Sequence, residues 1–277
     1  MKKSPAMQEF YSRSYVELWR GHWWWQSRHR IVLRELDRWR DAVWRKQTPI
    51  SPDANQTPTL LDIGCAGGVA FDDWSRYGDV YGIEPDAHLI DAASRWKDKI
   101  EQTPFDGDYQ TQRSYDVVLM LDVLEHIEDD GAALCKVFQV LKPGGTVILT
   151  VPALPSLWSV HDEVNLHFRR YTKRSLMHVI RQAGFECREM HYLFGWSLGM
   201  VYARKWLSRG KPQSYAVGIP PRPINALMRG CSLAEAWLAS KSGLPVLCGS
   251  SLLAVFARPG DAEESDRRIA RTAEVSR

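Results

Sequence analysis

Seven side chains that can move protons or bind anions lie within eleven residues, between His161 and Tyr171. The segment holds two imidazoles, two carboxylates, two guanidiniums and one phenol. An imidazole with the ordinary histidine pKa of about 6.5 can accept a proton at neutral pH. The planar guanidinium of arginine suits a carboxylate or a phosphate. The segment therefore predicts a site where a base acts on a polar or anionic substrate.

A second group of residues predicts nucleotide binding. The apolar run 60–63 breaks into a loop containing Gly64, Gly67 and Gly68, and a later short strand ends at Glu84. Glycine has no Cβ, so such a loop can turn sharply and approach a ligand closely. A carboxylate about twenty residues after the loop suits the hydroxyls of a ribose.

Two common nucleotide loops do not fit this stretch. The dinucleotide fingerprint G-x-G-x-x-G, counted from Gly64, would need glycine where the chain has Ala66 and Val69. The phosphate-binding P-loop needs Gly-Lys-Ser/Thr, and no lysine lies between Leu60 and Arg76. The loop therefore suits a nucleoside without a pyrophosphate.

Three motifs together resemble those of the class I S-adenosylmethionine-dependent methyltransferases. The loop Leu60 to Gly68 is similar to their first motif, hydrophobic-hydrophobic-Asp-x-Gly-x-Gly-x-Gly, with Ala66 in place of the middle glycine. Tyr115 to Ile127 resembles the family's fourth strand and the turn after it. Leu141 to Pro152 resembles its Pro-Gly-Gly turn into the fifth strand. The N-terminal tryptophans and the histidine-rich segment resemble a bacterial subgroup linked to cell-envelope or lipid-related biosynthesis.

The resemblance implies S-adenosylmethionine as the cofactor, bound at the carboxyl ends of the parallel strands. Glu84 would bind the ribose, and Asp62 would fix the glycine loop or reach the methionine amine. An acidic residue after the third strand often meets the adenine in this family, a role open to Asp106 and Asp108. The predicted cofactor-binding residues are Asp62, Gly64, Cys65, Ala66, Gly68, Glu84, Asp106 and Asp122.

The histidine-rich segment would then serve the transfer itself. Methyl transfer to oxygen or nitrogen is an in-line displacement, so the protein has to position the acceptor and remove its proton. His161 is the first choice for the base and His167 the second. Arg169, Arg170 and Tyr171 would hold the substrate.

Two further interpretations of this segment stay open. One is a salt-bridged loop that enters a helix with Thr172 as its N-cap. The other is a metal site made by His161, Asp162 and His167 on a loop. Because histidines six residues apart on one helix would point to different faces, no metal is predicted.

Three consecutive indoles, Trp23 to Trp25, cannot share one helix face, because successive positions are about 100° apart. At least one indole must face something other than the core. It would cover the cofactor cleft as a lid, meet the aromatic cluster 192–202, or touch a membrane surface beside Arg28 and Arg30. Trp24 is predicted to contact the substrate.

A sheet must bring these residues together. Alternating strands and helices imply a parallel sheet covered on both faces, and the resemblance adds an antiparallel last strand. The fold class is therefore α/β, a three-layer Rossmann-like seven-stranded sheet with N-terminal helices and a helical insertion before the last strand. Strands are expected at 59–63, 79–84, 98–101, 115–121, 146–151, 185–193 and 250–257.

The predicted division along the chain starts with an N-terminal helical cap and linker at 1–57. A cofactor-binding core at 58–194 follows, and then a helical insertion at 195–249 that forms the acceptor pocket. The last core strand is expected at 250–259 and a flexible tail at 260–277.

Composition narrows the class of partner and the compartment. The net charge is +3, and basic residues are interleaved with acidic ones, which gives no reason to expect nucleic acid. The five cysteines show no C-x-x-C spacing, which favours reduced thiols in a cytoplasmic protein. No signal peptide is expected at the N-terminus, and the longest uncharged apolar stretch, 190–203, is too short to span a bilayer. Peripheral membrane contact and the oligomeric state stay open.

The predicted function is methyl transfer from S-adenosylmethionine to a small or amphipathic acceptor, at oxygen rather than at nitrogen or carbon. The apolar insertion favours an aromatic or lipid-linked acceptor. One alternative is a nucleotide-dependent oxidoreductase, which the missing third glycine disfavours. The other is a catalytically silent subunit that binds the cofactor or a partner chain.

Overall fold

The structure is a computed structural model that describes residues 15–44, 57–90, 94–207, 218–242 and 246–260. Its strands are β1 (Thr59–Ile63), β2 (Asp79–Ile83), β3 (Ile100–Glu101), β4 (Tyr115–Leu121), β5 (Leu141–Pro152), β6 (Glu186–Leu193) and β7 (Ser251–Ala257). They form one seven-stranded sheet in the order β3-β2-β1-β4-β5-β7-β6. β7 is antiparallel to both of its neighbours, and the remaining pairs are parallel. The predicted fold class is confirmed.

The helices are α1 (Trp23–Trp39), α2 (Phe71–Trp74), α3 (Asp130–Val140), α4 (Val160–Val164), α5 (Lys173–Gln182), α6 (Leu198–Leu207) and α7 (Arg222–Ser242). Residues 15–21 are also helical, and a π-helical turn, Arg40–Trp44, continues α1. α6 and α7 lie between β6 and β7, where the helical insertion was expected. The predicted linker and C-terminal tail lie outside the described residues, apart from a few at their ends. Within the described ranges, no helix has the length and apolar character needed to cross a bilayer.

The two faces of the sheet carry separate buried clusters. Side chains alternate along a strand, so Val118 and Met120 of β4 point to one face and Val117 and Leu119 to the other. α3 and α5 cover the first face, while α1 and α2 cover the second. Both faces of the sheet are therefore buried, which explains the almost continuous apolar character of its central strands.

The largest difference from the predicted strand boundaries is at the start of β5. β5 begins at Leu141, which pairs with Tyr115 across a bulge, whereas the strand was expected from residue 146. The Pro-Gly-Gly turn therefore belongs to the strand. Gly144 has a positive φ of 76°, and its amide donates to the carbonyl oxygen of Arg258 at 3.0 Å. Gly144 therefore stays hydrogen-bonded at the end of the sheet, because the carbonyl oxygen of Arg258 accepts its amide.

α1 packs on the sheet through a stripe of buried residues. Trp25, Arg28, Val32 and Leu36 follow one another at spacings of three or four, which puts them on one face. Three of them are apolar and Arg28 is charged. The helix begins after His22, whose side chain accepts a hydrogen bond from the amide of Trp24. The stripe places the guanidinium of Arg28 at the carboxyl end of β4, a central strand.

Candidate cofactor and catalytic site

A cleft opens at the carboxyl ends of β1 and β4, beside the point where the strand order reverses. Ligands of open parallel sheets bind at this place. Residues from the glycine loop, from α1 and its preceding helical segment, and from α2 surround the cleft. They are Tyr15, Trp19, Arg28, His29, Asp62, Gly64, Cys65, Val69, Ala70, Trp74 and Leu121.

The glycine loop is held against the end of β2. The amides of Gly64 and Cys65 donate to the carbonyl oxygen of Ile83 at 2.8 and 3.2 Å. Gly64 has a φ of +71°, and a Cβ there would lie 2.5 Å from a methyl group of Val123. Ala66 has a φ of +46°, so it keeps a left-handed backbone at the position where the family motif has glycine. The loop shape is thus set by packing as well as by the need to approach a ligand.

Glu84 lies at the end of β2 and is buried. Its Oε2 accepts the amide of Ala66 and its Oε1 accepts the amide of Asp86, both at 2.9 Å. Burial raises the pKa of this carboxyl group, while the two amides act in the opposite direction. Each carboxylate oxygen still has a second acceptor position. Glu84 can therefore accept hydrogen bonds from the loop amides and from ligand hydroxyls at the same time.

Asp62 is buried at the base of the cleft. Its Oδ2 accepts a hydrogen bond from the indole nitrogen of Trp74 at 3.0 Å. Burial raises the pKa of Asp62 to about 7, although Trp74 and Arg28 favour the ionised form. A cation bound in the cleft would therefore favour ionisation of this group.

The sequence did not predict Arg28 as a site residue. It gave Arg28 a role only in the hypothesis of membrane contact. Its side chain is buried, pairs with the carboxylate of Asp122 and lies over the Trp24 ring at 4.8 Å. Asp122 has a φ of +59°, and its Oδ2 also accepts the hydroxyl of Thr150 at 3.1 Å. The position of Arg28 within an apolar stripe was the signal in the sequence, because a charge there must find a buried partner.

Contact of the whole tryptophan run with a membrane beside Arg28 is not supported, although Arg30 is exposed and Trp24 is half-buried. Trp23, Trp25 and Arg28 are all buried. Trp23 lies edge-on to Phe194 and Trp196, with ring centroids 5.7 and 5.5 Å apart. The run therefore meets the aromatic cluster 192–202, as the second hypothesis for these indoles predicts.

Trp24 is half-buried and borders this aromatic contact. Its ring centroid lies 6.0 Å from that of Phe194 and 5.0 Å from that of Trp25. It is not among the residues that line the cleft. Its contact with substrate stays a prediction.

Asp106 and Asp108 form a local turn. Both are exposed, and Oδ1 of Asp106 accepts the amide of Asp108 at 2.9 Å. Neither residue lines the cleft, so a role at the adenine stays a prediction. Cys65 does line it, and burial raises the pKa of its thiol.

Asp162 organises the histidine-rich segment from a fully buried position. It accepts the amide of Ser159 at 2.9 Å, Nδ1 of His167 at 2.9 Å and Nε of Arg170 at 2.7 Å. Burial acts to raise the pKa of Asp162, but the hydrogen bonds outweigh it and hold that pKa below the usual value. Arg170 also donates to the carbonyl oxygen of Ala153 at 3.0 Å. The carboxylate thus fixes both His167 and Arg170.

His161 and His167 lie on different elements. His161 is in α4, whereas His167 follows the helix, and their ring centroids are 6.1 Å apart. The amide side chain of Asn165 contacts the His161 ring at 3.2 Å. His167 has in Asp162 a carboxylate partner that fixes an imidazole for proton transfer.

Arg169 and Tyr171 share one carboxylate. Arg169 pairs with Asp130 at 2.7 Å and donates to the carbonyl oxygen of Glu128. The Tyr171 hydroxyl donates to the same Asp130 oxygen at 2.8 Å, and its ring is buried in the core. These contacts, with Thr172 as the N-cap of α5, match the hypothesis of a salt-bridged loop that enters a helix. Substrate contact by Arg169, Arg170 and Tyr171 stays a prediction.

Glu125, His126 and His167 each offer one potential metal-ligand atom, and these atoms lie within 4.8 Å of one another. In the part of the chain that the structure describes, no second group of three such residues meets this condition. Glu125 is buried, and burial raises its pKa to about 8. The set considered from the sequence, His161, Asp162 and His167, is not the one brought together.

Comparison with known protein families identifies the family to which this chain belongs. Residues 14–190, well over half of the chain, match the family described as "Methyltransferase domain". The chain belongs to the class I S-adenosylmethionine-dependent methyltransferases. Membership of this family makes S-adenosylmethionine the cofactor and disfavours the oxidoreductase hypothesis.

Relatives of this methyltransferase match part of its length. The "Ubiquinone biosynthesis O-methyltransferase" of Bradyrhizobium sp. (strain ORS 278) is 33% identical over 144 residues, or 46% of this chain and 56% of the relative. The "Uncharacterized methyltransferase C1B3.06c" of Schizosaccharomyces pombe is 30% identical over 185 residues, or 56% of this chain and 66% of the relative. The chain spans about half the length of the ubiquinone-pathway relatives it matches.

A solved structure shares the fold of this methyltransferase. The crystal structure of the [4+2]-cyclase SpnF has a TM-score of 0.52 and 15% sequence identity, and the match covers 92% of this chain and 94% of that one. At this identity the likeness concerns the fold alone. The reaction has to be argued from the site.

The cleft of this methyltransferase fits its cofactor. Nε of Arg28 is buried and, among the described residues, has no hydrogen-bond partner. A carboxylate in the cleft would supply one. Asp62 lies in the same cleft and can receive an ammonium group, so the two charges suit the two ends of an amino acid. Binding of the methionine part by these residues, and of the ribose by Glu84, stays a prediction.

Proposed function

We propose that this protein transfers the methyl group of S-adenosylmethionine to a hydroxyl group of a small or amphipathic acceptor. When bound, the cofactor supplies an electrophilic methyl group on a sulfonium. The observation that carries the proposal is the Asp162–His167 pair at 2.9 Å, on the segment that contacts the turn after β4. The O-methyltransferase names of the relatives support oxygen as the acceptor atom.

Three charged residues would hold the cofactor. Glu84 binds the ribose hydroxyls with the acceptor positions that the amides of the loop leave open. Arg28 binds the methionine carboxylate, and Asp62 binds the amine. Asp122 positions Arg28 through their buried ion pair. The charges in the cleft are thus complementary to a zwitterion.

His167 would act as the base. Its Nδ1 is bonded to Asp162, which leaves Nε2 to take the proton of the acceptor hydroxyl; the cofactor would supply the methyl group and leave as S-adenosylhomocysteine. The ionised Asp162 stabilises the imidazolium that forms. This proposal reverses the order of preference from the sequence, because Asp162 fixes His167 and not His161.

The acceptor would lie against the aromatic wall between α1 and the turn after β6. Trp24 and Trp196 are partly exposed and form this wall, while the buried Trp23 and Phe194 pack behind them. Aromatic side chains offer large apolar area with a fixed geometry. The wall therefore suits an aromatic or lipid-linked acceptor.

The function is tested with extracts that contain candidate acceptors. The protein is incubated with extract and S-adenosylmethionine carrying an isotopically labelled methyl group, and products are searched by mass spectrometry. A labelled methyl ether or ester supports the proposal. Cofactor binding without a labelled product in any extract would favour the hypothesis of a silent subunit instead.

Glu84→Gln tests the cofactor site. We expect the affinity for S-adenosylmethionine to fall by about tenfold or more, since a hydrogen bond to a charged group contributes about 1.5–3 kcal/mol. The amide side chain keeps one oxygen for the loop, so the fold should survive. Titration calorimetry measures the affinity, with Asp98→Asn as an exposed control. Unchanged affinity in folded Glu84→Gln would contradict the ribose role.

A further inference from the structure

α7 presents an apolar stripe to solvent. Ile224, Leu227, Cys231, Ala234 and Leu238 follow one another at spacings of three and four, which places them on one helix face. Leu227 is 67% exposed and Leu238 is 55% exposed. An amphipathic helix on a globular protein ordinarily turns such a stripe to the core. Here the stripe faces outward.

The polar face of the same helix is fixed to the protein. Oδ1 of Asn225 accepts the amide of Trp23, and its Nδ2 donates to the carbonyl oxygen of Gly21, both at 2.8 Å. Ser232 accepts the indole N–H of Trp196 at 3.1 Å. These bonds fix the rotation of α7 about its axis, so the stripe cannot turn inward without breaking them.

Glu235 completes this inner face. Its carboxylate accepts the amides of Gly195 and Trp196 at 3.1 and 2.8 Å. It is the one acidic residue in the sequence between 198 and 242. The single negative charge of the segment is therefore held against the protein.

α6 adds further exposed apolar side chains. α6 follows directly after the short 3₁₀ turn Gly195–Ser197, and α7 packs against the same turn. Trp206 is 68% exposed and Leu207 is 64% exposed, and Met200 and Tyr202 are exposed as well. On α7, Trp237 is also exposed. Indole and phenol rings favour the boundary between water and lipid because one edge is polar.

Charge identifies the partner. Among the described side chains of α6 and α7, Arg222, Arg229 and Lys241 are basic and Glu235 is the one acidic residue, whereas the whole chain has a net charge of only +3. Arg222 lies in the exposed first turn of α7, and Arg229 is partly exposed. Basic residues with exposed indoles and leucines on a helix pattern are typical of binding at an anionic bilayer surface.

We propose that the exposed face of α6 and α7 docks on the surface of a membrane that contains anionic lipids. The apolar stripe enters the boundary of the acyl chains, and Arg222, Arg229 and Lys241 lie among the headgroups. The contact does not depend on the methyl-transfer proposal, since none of its residues lines the cofactor cleft.

The test is vesicle co-sedimentation of the full chain. We expect binding to phosphatidylcholine vesicles that contain phosphatidylglycerol, much weaker binding to pure phosphatidylcholine, and loss of binding at high salt. Leu227→Ser with Leu238→Ser should lower the partition coefficient at least tenfold, since about 0.8 kcal/mol is lost per CH₂ no longer buried.

Charge reversal supplies the matched control. Arg222→Glu with Arg229→Glu should weaken binding strongly, whereas Lys97→Glu with Arg174→Glu changes net charge equally and should not. Calorimetry with S-adenosylmethionine checks that every variant is folded. The proposal is overturned if wild-type protein ignores anionic vesicles or if the leucine variant binds as well as wild type. A stable dimer that Leu227→Ser dissociates would assign the face to a second copy instead.

Discussion

At the scale of single residues, one buried carboxylate distinguishes two histidines of the same type. Asp162 contacts His167 at 2.9 Å, while His161 is contacted by the amide of Asn165. A carboxylate partner fixes the imidazole ring and stabilises its charged form. The role proposed for His167 therefore follows from its carboxylate partner.

His167→Ala should lower kcat by about a hundredfold or more, because general base catalysis contributes roughly 10²–10⁴-fold. Affinity for S-adenosylmethionine should be nearly unchanged. His161→Ala is the matched control and should retain most of the turnover. If His161→Ala is the inactive variant and His167→Ala is active, the base is His161.

The same assay examines the metal-ligand set. Activity lost to a chelator and restored by a divalent ion would assign His167, with Glu125 and His126, to a cation instead of to proton transfer.

At the scale of elements, the long insertion is joined to the N-terminal helix through its polar face. Asn225 of α7 satisfies an amide at the start of α1 and a carbonyl oxygen just before it. The first amides of a helix have no partner within the helix, so an outside acceptor stabilises that end. The N-terminal helix α1 and the helical insertion are therefore joined to each other beside the cleft.

Asn225→Ala should lower the free energy of unfolding by about 1–3 kcal/mol, because it leaves two partly buried backbone groups without partners. Asn225→Asp keeps the acceptor for Trp23 and loses the donor to Gly21, so its effect on stability should be smaller. Urea denaturation followed by tryptophan fluorescence measures both. Equal stability of wild type and Asn225→Ala would show that this contact does not hold the helices together.

At the scale of the whole molecule, a buried carboxyl group in the cofactor cleft makes stability depend on pH. Burial raises the pKa of Asp62 from 3.8 to about 7. Between these values the folded protein holds a proton that the unfolded chain has released. Stability from this group is complete below about pH 4 and is lost progressively as the pH rises to about 7.

Asp62→Asn should flatten the fall in unfolding free energy between about pH 4 and pH 7, where each pKa unit corresponds to about 1.4 kcal/mol. Part of the slope should remain, because burial also raises the pKa of Glu125 to about 8. Thermal denaturation across this range is the measurement, with the exposed Asp79→Asn as control. A slope identical to that of wild type would contradict the assignment to Asp62.

The sequence alone determined the sheet and the position of the cofactor loop. β1, β4 and the glycine loop depend on apolar runs and on backbone freedom, which are properties of neighbouring residues. The N-cap at Thr172 was predictable for the same reason, since its hydrogen bond spans three residues.

Only the tertiary structure decided which side chains meet. Arg28 and Asp122 are 94 positions apart, and their pairing required α1 to pack across the second face of the sheet. The outward stripe of α7 likewise reversed the usual expectation that apolar faces turn inward, because Asn225, Ser232 and Glu235 hold the opposite face. Local patterns specify an element and its two faces. The partners that each face finds depend on contacts between residues far apart in the chain, which no short pattern records.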